Sequence, residues 1–236
     1  MYSKQQFLFV TALKKEKLYD ILVANHAIIA GGAIRAVFAR EYVSDYDVFF
    51  KNLTDYGNFL AAMKSQEGYE LTFESDTAKS FTKEDTKVQV ISFIFGTAKE
   101  IIEQFDYTVC MGAYDFEAND FVLAEDFLSH VARKELYYNV NGKYPISSLF
   151  RLQKYFKKGY KIPGVEVIKL ALAVNNLKMN SYMDLRQQLQ GIDTLFLKEL
   201  TDKMLTPEYA EKKYDFTEFM QMVDGYANSL LDNLFD

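Results

Sequence analysis

Ala27 to Ala30 is an unbroken apolar run that ends at Gly31 and Gly32. A short apolar run closed by turn residues reads as a buried strand. From Gly32 to Arg40 the apolar positions follow a helical period, and Tyr46 to Phe50 is again strand-like. Upstream, Lys14 to Asn25 carries Leu18, Ile21, Leu22 and Val23, the spacing of a short amphipathic helix. Downstream, Thr54 to Gln66 predicts a helix with Thr54 as N-cap and Phe59, Leu60 and Met63 as its apolar face. Tyr69 to Phe73 and Lys87 to Phe95 are rich in aromatic and β-branched residues and predict strands. The polar stretch between them, Glu74 to Thr86, reads as a loop or hairpin tip. Ala98 to Gln104 predicts a short helix. Val109 to Tyr114 and Asp120 to Ala124 predict strands joined through the turn composition Glu-Ala-Asn-Asp, and Glu125 to Leu136 a helix.

From Pro145 the strand signal fades and helical periodicity runs almost to the end. The predicted helices are Ile146 to Tyr160, Val165 to Leu177, Tyr182 to Leu189, Asp193 to Leu205 and Phe216 to Leu234. Breaks fall at Gly159, Pro163-Gly164, Asn180, Gly191 and Pro207. The pattern therefore predicts an α+β architecture: a mixed sheet with helices over residues 1–140, then an all-helical domain over 141–236.

Composition narrows the chemistry. The 236 residues are 49% hydrophobic and 25% charged, within the range of globular proteins. There is no apolar run of about 18 residues to suggest a membrane span, and the first residues lack a signal-peptide pattern. The expectation is a cytoplasmic protein with no membrane partner. One cysteine, Cys110, excludes an internal disulfide and fits a core thiol. With one cysteine and two scattered histidines, a Cys/His zinc site is excluded in practice, so a bound metal would be held by carboxylates, which favours Mg2+ or Mn2+. His26 and His130 read as surface or half-buried residues. The net charge of -6 argues against a general nucleic-acid coat. The exception is Arg151 to Pro163, which carries Arg151, Lys154, Lys157, Lys158 and Lys161 and no acid. Lys154, Lys157, Lys158 and Lys161 fall at i, i+3, i+4 and i+7, one helix face. That face suits an RNA backbone, or a solvated surface paired with the acidic end, where seven acids follow Pro207 against two lysines.

The chemistry concentrates between Ile28 and Phe50. Gly31 and Gly32 lie at the strand-to-helix turn, where the absence of Cβ lets backbone N–H groups approach phosphate and the helix N-terminus favours an anion. Asp45 and Asp47, two apart on the next strand, project to one face. Paired carboxylates beside a phosphate-accepting turn suit metal-dependent phosphoryl transfer. Ser44 adds a hydroxyl. Alone, a Gly-Gly before a helix is an ordinary turn, and Asp-x-Asp an ordinary strand end. In strand–turn–helix–strand order the functional reading is the better one. Arg35, one turn into the helix, either touches phosphate or pairs with an acid to fix the turn.

With these residues in place the segment resembles the head of the DNA polymerase β-like nucleotidyltransferase superfamily. It is most similar there to class II tRNA nucleotidyltransferases and poly(A) polymerases. Gly31, Gly32, Ile34 and Arg35 match the opening Gly-Gly-x-Val-Arg-Asp motif, with Ala36 in place of its aspartate, and Asp45 and Asp47 match the Asp-x-Asp that follows. Gln104 to Tyr114 resembles a second motif, Arg-Arg-Asp-Phe-Thr-Ile-Asn-Ala-Met-Ala-Tyr: Asp106, Thr108 and Tyr114 match, Cys110 replaces Asn, and both arginines are absent. A third stretch, Arg151 to Tyr155, resembles Arg-x-x-Arg-Phe, while the base-selecting Glu-Asp-x-x-Arg is replaced around Tyr144 to Ser147. The resemblance implies an NTP on Gly31 and Gly32, metal on Asp45 and Asp47, and a ribose contact from the Asp106 region. It further implies an acceptor hydroxyl, RNA 3′ ends first, met by Arg151, Lys154, Lys157, Lys158 and Lys161. A third carboxylate is common in the superfamily; Gln89 stands at that place, with Glu84 or Asp85 as alternatives from the loop. The departures leave two further readings: a catalytically degenerate binding or assembly module, or a toxin-like enzyme modifying tRNA or protein.

Overall fold

The computed structural model describes residues 2–189 and 195–235. The chain divides into two compact units: Met1–Gly142 with Tyr160–Glu166, and Lys143–Gly159 with Val167–Asp236.

The first unit opens with two helices, α1 (Ser3–Lys15) and α2 (Tyr19–Ala24). The single helix expected over Lys14 to Asn25 is thus corrected. The chain turns at Lys17, whose φ is 59°, and Leu18 N–H donates to the Leu13 carbonyl. There follow β1 (Ile28–Ala30), α3 (Gly32–Ala39), β2 (Asp45–Phe50) and α4 (Leu53–Lys64). Asn52, not Thr54, caps α4, its side-chain oxygen accepting from Asp55 N–H at 3.0 Å. Next come β3 (Glu70–Glu74), β4 (Ala78–Lys83) and β5 (Thr86–Phe95). The expected loop between Glu74 and Thr86 is therefore a strand, β4, joined to its neighbours by tight turns. A short α5 (Ala98–Ile102) is closed by a capping box between Thr97 and Glu100. A 3-10 turn over Thr108–Cys110 then leads into β6 (Gly112–Asp115), β7 (Asp120–Leu123) and α6 (Phe127–Arg133).

The seven strands form one sheet in the order β3-β4-β5-β2-β1-β6-β7. Only β2 and β5 run parallel; the remaining neighbours are antiparallel. Alternation gives the sheet two faces. On one, Tyr46 and Phe50 meet Phe9 of α1 and Phe59 of α4. On the other, Ile28, Ala30, Phe49, Ile91 and Ala113 pack with Ala98, Ile101 and Ile102 of α5. Since α5 is five residues long, it covers only part of that second face, the face to which Asp45 and Asp47 belong.

The second unit contains α7 (Pro145–Lys157), most of α8 (Gly164–Asn175), α9 (Tyr182–Gln188), α10 (Leu195–Lys203), α11 (Pro207–Ala210) and α12 (Phe216–Phe235). Its core gathers Tyr182, Leu185, Leu189, Leu200, Met204, Tyr209 and Met222. The break expected at Gly191 and the helix start expected at Asp193 lie outside the described residues. No helix among the described residues is long and apolar enough to cross a membrane.

Candidate functional site

Strand register sets the site. Ala30 of β1 faces Asp47 of β2 across an antiparallel pair. The residue after Ala30 is Gly31, so the turn leaves β1 beside the strand that carries the two aspartates. Gly31 has φ 82°, a conformation that glycine tolerates and other residues adopt at a cost. Its N–H donates to the Gly112 carbonyl at 2.9 Å, and its own carbonyl accepts from Arg35 N–H, the first hydrogen bond of α3. A Cβ at Gly31 would come within 3.3 Å of the Phe105 ring, which also packs against Phe49 at 5.7 Å between centroids. Gly32 is exposed, with open space where a side chain would project. The N-terminal N–H groups of α3 thus begin at an uncovered turn, the arrangement a phosphate group needs.

On β2, Asp45 is exposed and Asp47 half-buried, both on the face shared with Phe49. Between them Tyr46 points to the opposite face, where burial and the Glu16 carboxylate push its phenol up to about 12. It brings no charge to the site near neutral pH. Across the parallel pair, Asp45 aligns with Lys87 and Asp47 with Gln89. Lys87 was not singled out by sequence reasoning. Its signal was its place two residues before Gln89, the same spacing as Asp45 to Asp47. Lys87 N–H donates to the Ser44 carbonyl at 2.8 Å, which ties the start of β2 to β5. The side chains on this patch are therefore two carboxylates, one ammonium and one amide. Among the described residues no cluster of three or more His, Cys, Asp or Glu could hold a metal ion. A divalent cation here would rest on two hard oxygen donors, Asp45 and Asp47, with the other positions left to water and phosphate. That donor chemistry suits Mg2+. Glu84 and Asp85 occupy the β4–β5 turn, at the far end of a strand pair from Ala78 and Ile91.

Arg35 takes the acid-pairing role of the two open to it. Its side chain is only 4% exposed and bonds Glu41 Oε2 at 2.8 Å, with Tyr160 Oη at 3.4 Å. Burial alone lowers a guanidinium pKa; the bonds to Tyr160 and Glu41 outweigh it and hold the pKa above its ordinary value. Arg35 thus forms a buried brace between α3 and Tyr160. Asp106 is buried, and its carbonyl accepts from Asn139 N–H at 2.7 Å, while the Asn139 amide reaches the Glu103 and Phe105 carbonyls. His130 is buried rather than half-exposed, stacked on Tyr137 at 3.9 Å, with Nδ1 2.7 Å from Thr108 Oγ1. Cys110 is buried and takes part in no disulfide.

The basic face does not hold together as expected. α7 ends at Lys157, Lys158 is its C-cap and Gly159 has φ 79°. Lys161 lies past the helix and pairs with Glu135 in an isolated bridge, its N–H donating to the Lys134 carbonyl. Arg151, Lys154, Lys157 and Lys158 belong to the second unit and Lys161 to the first.

Residues 1–134 match the Gabija anti-defense 2 family protein. The chain belongs to the Gabija anti-defense 2 family. A relative named Gabija anti-defense 2, from Bacillus phage SPbetaL7, is 36% identical over 218 residues, covering 92% of this chain and 52% of the relative. The chain thus spans about half the length of the curated relative it matches. Among solved structures, a CCA-adding enzyme in complex with ATP is similar at 15% identity and TM-score 0.55, over 91% of this chain and 58% of that one. The Thermotoga maritima CCA-adding enzyme complexed with tRNA_CCA is similar at 16% identity and TM-score 0.50, over 91% and 57%. At such identities the likeness is one of fold. The architecture of this family member is nucleotidyltransferase-like, as the sequence resemblance implied.

Proposed function

We propose that this protein binds a metal-complexed nucleoside triphosphate on its first unit and acts as a nucleotidyltransferase in the anti-defence role for which its family is named. It moves a nucleoside monophosphate to an acceptor hydroxyl, an RNA 3′ end first, and releases pyrophosphate. The observation that carries this reading is the Ala30–Asp47 register, which sets the Gly31–Gly32 turn and the start of α3 beside the two aspartates. In the proposed mechanism the N–H groups at the start of α3, beginning at exposed Gly32, would hold triphosphate oxygens and Asp45 and Asp47 would hold Mg2+. Lys87, aligned with Asp45, adds positive charge on the same face. The divalent ion supplies charge neutralisation on the phosphates when bound. That the structural neighbours were solved in complex with ATP and with tRNA supports the substrate classes.

One observation favours a second reading. Gln89, aligned with Asp47, is a neutral amide and a poor ligand for Mg2+ where a third acid would complete a catalytic set. A protein that holds nucleotide without transferring it is the binding module this would leave. Incubation with each α-labelled NTP and cell extract separates the two. Transfer of label to RNA or protein, lowered about 10²–10³-fold in Asp45→Ala or Asp47→Ala, is the expected result. Nucleotide binding without transfer supports the module. Full transfer by either variant contradicts the assignment of these carboxylates.

A further inference from the structure

The row of paired residues that sets the site continues away from Gly31. Asp47 of β2 aligns with Gln89 of β5, and Gln89 aligns with Ser80 of β4. Ser80 lies two residues from Ala78, which packs with Phe49 and Ile91 in one core cluster. Strand alternation therefore puts the Ser80 side chain on the face of Asp45 and Asp47. Ser80 is only 1% exposed, and its Oγ has no hydrogen-bond partner among the described residues. The next hydroxyl on that strand and face is engaged, since Thr82 Oγ1 lies 2.9 Å from Thr72 Oγ1. Burying a hydroxyl without a partner costs stability, so Ser80 points to a partner that the resting fold does not supply. The Gln89 carboxamide is within reach of it, because opposed residues on neighbouring strands place their Cβ atoms about 5 Å apart.

The order β4-β5-β2-β1 says which part of a substrate this pair meets. In the proposed function the triphosphate sits at Gly31 and Gly32, which follow β1. Phosphoryl transfer needs the attacking and leaving oxygens roughly in line. With pyrophosphate leaving on the β1 side of Asp47, the attacking oxygen arrives from the β5 and β4 side, over Gln89 and Ser80. We infer that Gln89 contacts the sugar hydroxyls at the 3′ end of an RNA acceptor and that Ser80 is a positioning residue that anchors the Gln89 amide beneath them. The inference rests on the nucleotidyltransferase reading of the first unit. A carboxamide both accepts and donates, which suits the two adjacent hydroxyls of a terminal ribose, and the 2′ hydroxyl is what separates RNA from DNA. Gln89 orients the acceptor and takes no proton. The acceptor oxygen bonds to the α-phosphorus as the bond to pyrophosphate breaks, and the hydroxyl proton passes to water.

The test uses the full chain, α-labelled NTPs with Mg2+, and two probes: a random-sequence RNA oligonucleotide pool, and the same pool ending in 2′-deoxyribose. Wild type is expected to label the ribose-ended pool at least about tenfold better. Gln89→Ala should raise KM for that pool about tenfold and remove the preference. Ser80→Ala should raise the same KM about three- to tenfold. Both variants should keep NTP affinity within about twofold of wild type by calorimetry. Ser80→Ala should also unfold at an equal or higher urea concentration, because it removes an unpaired buried hydroxyl. An unchanged KM in either variant, a parallel loss of NTP affinity, a lowered urea midpoint in Ser80→Ala, or equal use of both pools by wild type would each overturn the inference. Wild type that binds NTP but labels neither pool overturns it while nucleotide binding stands. Wild type that binds no NTP overturns the nucleotidyltransferase reading and this inference together, so the two failures are told apart by the wild-type titration.

Discussion

Gly31 does two things that no other residue type does as cheaply. It adopts φ 82° and leaves room for the Phe105 ring. Gly31→Ala is therefore expected to destabilise the first unit by about 1–2 kcal/mol, from a disfavoured backbone conformation and a tight contact, read as a lowered urea midpoint at unchanged slope. At Arg35 the physical outcome was open in the sequence because an arginine one turn into a helix reaches either solvent or an acid. Glu41 and Tyr160 decide it, and Tyr160 is 125 positions away in the chain, beyond the reach of local pattern. His130 is a second residue whose setting is non-local. Burial, with the nearby Arg133 charge adding to it and Asp126 opposing, lowers its pKa below 6.5. The unfolded chain therefore takes up the proton first as pH falls. Stability of the first unit is full above pH 6.5 and declines below it until the folded pKa is reached. The difference in unfolding free energy between pH 7.5 and 5.5 should shrink in His130→Gln.

The elements around the site were legible because each had an independent local signal. Apolar Ile28 to Ala30, the two glycines and the alternation from Asp45 to Phe50 define β1, α3 and β2 almost residue by residue. β4 was hidden because Lys79, Ser80, Thr82 and Lys83 make it polar, and a strand with polar neighbours inside a sheet looks like a loop in isolation. α1 escaped because Phe7 to Val10 is a four-residue apolar run that hides which two positions, Phe9 and Leu13, face the interior. The lysine face failed for the opposite reason. The lysine spacing was carried past the break at Gly159, but the left-handed turn there ends the helix and Lys161 joins Glu135 instead. In the helical unit, Ser181 was the sequence break at Asn180 seen from its other side: it closes α9 with a capping box to Asp184. Ser181→Ala is expected to cost about 1 kcal/mol and lower the melting temperature of the second unit, as seen by calorimetry. Two backbone N–H groups, of Asn180 and Ser181, hold Asp184 below the usual carboxylate range. That contribution is present above pH 4 and is lost as pH falls further.

At the scale of the whole molecule, the α+β order and the helical second part follow from where strand alternation stops, near Pro145. What sequence pattern left out is that residues Tyr160–Glu166 return to the first unit. There Leu136 N–H donates to the Lys161 carbonyl and Tyr138 N–H to Glu166 Oε2. Chain connectivity and unit membership are different things, and only packing distinguishes them. Membership of an anti-defence family, together with a nucleotidyltransferase-like fold, makes nucleotide handling by the first unit the property on which the functional account rests. The most direct measurement is calorimetric titration of Mg2+ with ATP, CTP, GTP and UTP in turn into the wild-type chain and into Asp47→Asn. The account predicts that at least one triphosphate binds the wild type only with Mg2+ present, and that Asp47→Asn weakens it about tenfold or more. Equal affinity in both proteins, or no binding of any triphosphate to the wild type, would contradict it.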